Sequence, residues 1–169
     1  MRWGLTSLGA ALAVATALAL VPVGGSSGQT GGRTITLFGD ENGGTYGFVD
    51  NPPRSPASDP ASPKARFSMG DQGYWTGIIR DGKGGKRVGK VFGTDTVLSG
   101  GRFPHVTNIV HAVFALTDGQ IIVEQVLDES RKAVPAAVIG GTGAYVGARG
   151  TLLVKPGKGG NDITITLSP

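Results

Sequence analysis

The chain has 169 residues, no cysteine and a formal net charge of +4. The missing cysteines exclude a disulfide framework, cysteine zinc sites, iron–sulfur clusters and thiol nucleophiles. The basic residues bunch at Lys83–Lys90 and Lys155–Lys158 among glycines, not along a face with stacking aromatics, so no nucleic-acid partner is expected.

Residues 1–25 read as a secretory signal peptide. Arg2 supplies a positive start, Leu5–Val23 is apolar and uncharged, and Ala17-Leu18-Ala19 is a small-x-small cleavage motif. No second apolar run has spanning length. The expectation is a secreted, extracellular protein with no membrane association after cleavage, the alternative being an uncleaved anchor. Residues 26–33 form a flexible Gly/Ser linker. Residues 34–169 are long enough for one domain with one core.

Within that domain Thr34–Phe38 alternates like a strand, and Thr45–Val49 is a short second one. Asp50–Lys64 holds five prolines and reads as a long surface loop. Tyr74–Arg80 runs to the turn signal Asp81-Gly82. Arg87–Leu98 carries Gly89, Val91, Gly93 and Asp95 on one side, and glycines paired on a face suggest a bend or a small radius. Ser99–Asn108 is a loop. Ile109–Leu116 and Gln120–Leu127 flank Asp118-Gly119, a hairpin signal that pairs Thr117 with Gln120. Asp128–Val134 is a charged connection, Ala136–Ile139 and Gly147–Val154 bracket a Gly-rich turn, and Ile163–Leu167 closes the sheet. Some eight strands and no amphipathic helix predict an all-β domain, and a closed barrel would leave no exposed edge.

The Gly-rich turn, Gly140–Gly150, reads GGTGAYVGARG, with five glycines in eleven residues. No amphipathic helix follows it, so it is not a nucleotide-binding loop. It resembles the signature of dirigent proteins and is similar to that of allene oxide cyclases. Gly70–Tyr74 (GDQGY) and Lys86–Gly89 (KRVG, followed by Gly93) agree in order with the same families, and bacterial secreted allene-oxide-cyclase-like barrels match best. The resemblance implies a single eight-stranded antiparallel β-barrel over roughly Thr34–Leu167. It also implies a small apolar ligand in the lumen, steered through cyclization or coupling without metal or cofactor, and a homo-oligomer, often a trimer.

The hairpin bears on the site. Strand parity puts Val110, Ala112, Phe114, Leu116, Ile121, Val123 and Leu127 on one face, and His111, Val113, Ala115, Ile122, Glu124 and Val126 on the other. Parity leaves open which face is the lumen. If it is the first, His111 and Glu124 are solvent-side charges. If it is the second, they are lumenal polar groups. The resemblance implies the latter, aligning Glu124 and Asp95 with pocket positions. The two would be candidate catalytic acids, because burial raises at least one carboxyl pKa. It further implies ligand contacts at Tyr74 and Trp75, at Asp40, at His111 and at Tyr145, the aromatic of the signature.

Departures from the pattern count as well. Thr34–Phe38 lacks the acid and asparagine of plant cyclases, Gly77 replaces a pocket asparagine, and Val134 stands where dirigent proteins carry arginine. These argue against allene oxide cyclization and phenoxy coupling in the strict sense. His105 and His111 fit no zinc spacing, and no GxSxG elbow exists, so neither a metal site nor a serine triad is expected. Three hypotheses remain: a cyclase-like or dirigent-like enzyme, a non-catalytic carrier, and a structural protein with a packed lumen. The targeting segment yields a prediction. The exported protein should begin between about residues 20 and 30, as read by intact mass; full-length mass in the membrane fraction would contradict it.

Overall fold

The computed structural model describes residues 32–52, 65–130 and 135–169. The signal-peptide segment, nearly all of the linker and most of the proline-rich stretch lie outside these described residues. The domain is all β, with no helix among the described residues. The strands are β1 (Arg33–Val49), β2 (Arg66–Phe67), β3 (Gln72–Arg80), β4 (Arg87–Ser99), β5 (Gly101–Arg102), β6 (Thr107–Leu116), β7 (Gly119–Asp128), β8 (Ala136–Gly143), β9 (Gly150–Gly157) and β10 (Gly160–Leu167). Eight of them close into an antiparallel barrel in the order β1-β10-β9-β8-β7-β6-β4-β3, and β2 pairs with β5 as a separate ribbon.

The two short strands expected at Thr34–Phe38 and Thr45–Val49 are one strand, β1. Arg33–Asp40 pairs with β10, and Phe38–Asp40 and Thr45–Val49 pair with β3, with a register shift in the β3 pairing between Asp40 and Thr45. The shift is pinned by Asp40. Its Oδ1 accepts from the Asn42 backbone N–H at 2.9 Å and its Oδ2 from Arg80 Nε at 2.8 Å.

The face left open by parity is settled by burial. Ala112, Phe114, Ile121, Val123 and Leu127 are inside, so the all-apolar face of the β6–β7 hairpin is the lumen. With Leu37, Ile79, Val138, Leu152, Ile163 and Ile165 they form the core. Ile79, Ile121 and Ile165 are wholly buried, each worth about 1.5–3 kcal/mol against exposure. The glycine-bearing side of β4 also faces inward. Gly93 has no side chain because the indole of Trp75, opposite it on β3, lies in that space.

The hairpin turn differs from the expected register. It occupies Thr117 and Asp118, Leu116 pairs with Gly119, and His111 stands directly across from Glu124. Tertiary contacts hold it there. Thr117 N–H donates to the Val88 carbonyl, the Asp118 carbonyl accepts from Ala144, and Gly119 pairs with Gly143 of β8. The signature splits accordingly. GGTG ends β8 and residues 144–149 make the turn to β9. Tyr145 folds back over this end of the barrel, 4% exposed, with its hydroxyl on Asp118 Oδ1 at 2.8 Å and the Arg33 guanidinium 5.5 Å from its ring.

The signature glycines should therefore separate on substitution. Gly143 has φ +60°, and a Cβ on Gly141 would strike the carbonyls of Tyr145 and Gln120, whereas Gly140 faces open space. Gly143→Ala and Gly141→Ala should each cost about 1–3 kcal/mol and lower Tm by roughly 3–8 °C. Gly140→Ala should melt like the parent. Three identical melts would remove any structural role for the motif.

Candidate functional site

Opposite the signature end, the lumen changes character. Asp95 follows Val91 and Gly93 on the inner face of β4 and is 7% exposed. Its cross-strand partner is Gly73, where any side chain would collide with the carboxylate. Asn108 lies diagonal to it across β4 and β6 and is 6% exposed. Glu129, two residues beyond the buried Leu127, accepts from Asn108 Nδ2 at 3.3 Å and donates its backbone N–H to the Val106 carbonyl at 3.0 Å. Three acceptors in this group, Asp95 Oδ1, Asn108 Oδ1 and Glu129 Oε2, are buried without a hydrogen-bond partner among the described residues. An orphaned buried acceptor costs roughly 1–3 kcal/mol. Three together mark a place completed by something that donates.

The wall beside them is aromatic. Tyr46 and Trp75 are paired on the inner side of β1 and β3, and Phe48 follows two residues along. Phe48 meets Phe67 of the β2–β5 ribbon edge to face, with ring centroids 5.9 Å apart. Asp71 anchors the segment leading out of that ribbon. It is wholly buried and accepts from the Asn51 and Ser68 N–H groups at 2.9 and 2.8 Å.

Burial raises the Asp95 carboxyl above its ordinary value. Glu129 is pushed up to about 7, by burial first and by the charge of Asp95 second, against the opposing Asn108 hydrogen bond. Burial and then Asp95 also raise the Tyr46 phenol. A carboxyl near 7 is populated in both forms at neutral pH, the condition for giving or taking a proton.

The sequence candidates distribute as follows. Asp95 and Trp75 are lumenal. Glu124 is not. It sits on the outer wall with its Oε2 3.1 Å from His111 Nδ1, both side chains about half exposed, and such a pair adds at most about 1 kcal/mol. The acid that joins Asp95 is Glu129, in a segment that reads as a charged connection. Glu129 extends the inward parity of Ile121, Val123 and Leu127, and that parity is the signal that points to it, since a one-residue offset reverses the face. Asp40 is bound up in the bulge of β1, its carboxyl held below the usual range by the Asn42 backbone N–H and then by Arg80. Tyr145 closes the far end of the barrel, away from Asp95.

Tyr74 and His111 line a concavity of about 510 Å³, together with Phe92, Thr94, Val113 and Ile122 of the outer wall and with Tyr46, Trp75 and Ala112. Tyr74 is 42% and Phe92 47% exposed there.

Glu129 supplies a pH test. Its native pKa of about 7 lies above the reference 4.5, so the folded state binds the extra proton between the two. Stability is therefore greatest below the unfolded value and falls as pH rises through 7. Glu129→Gln should remove about 1 kcal/mol of that fall, solvent screening of a half-buried group allowed for. Urea unfolding at about pH 5 and about pH 8 reads it, and parallel losses in parent and variant would refute the buried acid.

The sequence matches no family model and no curated protein. Solved structures do match the fold. A protein described as pyocyanin demethylase superposes with a TM-score of 0.60 at 19% identity, covering 80% of this chain and 100% of that one. A protein described as a nonspecific heme-binding cyclase that catalyses a (4 + 2) cycloaddition in neoabyssomicin biosynthesis gives 0.53 at 15% identity, covering 82% of this chain and 68% of the other. The likeness is one of fold: the eight-stranded barrel is a shared architecture.

Proposed function

We propose that this protein is a secreted, dirigent-like and cyclase-like barrel that holds a small, mostly apolar molecule in the Asp95 end of its lumen and steers its cyclization or coupling. The carrying observation is the set of buried, unpartnered acceptors on Asp95, Asn108 and Glu129 beside an aromatic wall. Such groups are retained at a cost to stability where a ligand needs them. Tyr46 and Trp75 supply the apolar contact surface, and Glu129, beside Asp95, supplies a carboxyl populated in both forms near neutral pH. Steering then rests on shape and on one proton delivered to, or taken from, the bound molecule. The roles of the two fold neighbours, a demethylase and a cycloaddition cyclase, are compatible with this reading. Export by the N-terminal segment, and self-association as a trimer through the apolar outer wall, belong to the same proposal.

Native mass spectrometry of protein recovered from its own culture medium reads ligand and stoichiometry together. The expected result is a trimer carrying a small molecule that Asp95→Asn releases, while the variant gains about 1 kcal/mol of stability from losing a buried charge. Retention without turnover would make the barrel a carrier. A ligand-free parent, with Asp95→Asn differing only in stability, would leave a packed structural barrel.

A further inference from the structure

We infer that the lumenal site is made for a protonated amine carried on an apolar body; this rests on the lumen-binding reading above and names its ligand class. The three orphaned atoms of this group are acceptors: the Asp95 and Glu129 carboxylate oxygens and the Asn108 amide oxygen. An ammonium group offers three N–H donors and no acceptor, so it matches all three oxygens and leaves none of its own groups unpaired. An alcohol donates once and brings lone pairs that find no donor in this set. A carboxylate would add a further negative charge beside two acids.

Placement supports the same choice. Asp95 and Asn108 occupy diagonal positions on facing strands, with side chains about 7 Å apart at their roots, and Asn108 already touches Glu129. The three groups therefore converge on one end of the lumen. Two neighbouring acids are already engaged: Asp71 is tied to Asn51 and Ser68, and Asp128, next to Glu129, holds Ser130 at 2.6 Å. Burial and then the charge of Asp95 raise the proton affinity of Glu129, and a ligand cation would replace that proton. Tyr46 and Trp75, paired across β1 and β3, then receive the apolar body.

Three probes of equal size test this on the exported protein: cyclohexylmethylammonium, cyclohexylmethanol and cyclohexanecarboxylate, by calorimetry and by Trp75 fluorescence. The ammonium should bind at least about tenfold more tightly than the alcohol, and the carboxylate most weakly of all. Asp95→Asn should bring the ammonium down to the level of the alcohol and change the alcohol by less than about threefold. Glu129→Gln gives the same comparison if Asp95→Asn does not fold. Glu124→Gln, on the outer wall, should change neither. Alcohol binding as well as the ammonium would overturn the cation inference and leave lumen binding standing. Loss of ammonium binding in Glu124→Gln alone would move the site to the outer concavity and overturn both. No binding of any probe would overturn the inference, and a small molecule retained in native mass spectrometry would still uphold the lumen reading.

Discussion

The structure depends on one strand serving two neighbours. β1 pairs with β10 over Arg33–Asp40 and with β3 over Phe38–Asp40 and Thr45–Val49, and it turns along β3 at the bulge after Asp40. Without that turn β10 and β3 would both present open edges, the condition closed barrels exist to avoid. Three bonds to one carboxylate hold the turn: Asn42 through its backbone and side chain, and Arg80 through Nε. Asp40 is thus charged and polar for the sake of closure, and its chemistry is spent inside the wall.

Closure divides the lumen. At the signature end, buried apolar side chains meet and Tyr145 packs with them, so that half contributes stability through burial. At the other end, glycine replaces bulk. Gly93 admits the Trp75 indole and Gly73 admits the Asp95 carboxylate. The space so made holds acceptors that the apolar half could not accommodate. The two halves have opposite physical roles, and the polar one carries a local instability that the apolar one offsets.

The outer wall has a separate character. Tyr74, Phe92, Val126 and Ile139 are substantially exposed, and the His111–Glu124 pair sits among water-facing residues. A solvated ion pair of this sort is cheap to keep and weak in effect. The His111–Glu124 pair thus stands outside the lumen that holds Asp95.

Much of this was legible in the chain itself. Alternation in Thr34–Phe38, Gln120–Leu127 and Ile163–Leu167, the turn glycines and the absence of cysteine determine an all-β domain stabilised by its core, and the parity of Arg87–Leu98 determines that Asp95 shares a face with Gly93. Parity is a local property, so sequence carries it. Which face closes inward is not local, because it depends on where the opposite wall stands. Only the folded barrel decided that Glu124 looks outward, that Glu129 completes the pair with Asp95, and that the hairpin turns at Thr117–Asp118 under the hold of Val88, Ala144 and Gly143. Those outcomes are set by contacts between strands remote in sequence, and a shift of one residue in any of them exchanges lumen for solvent.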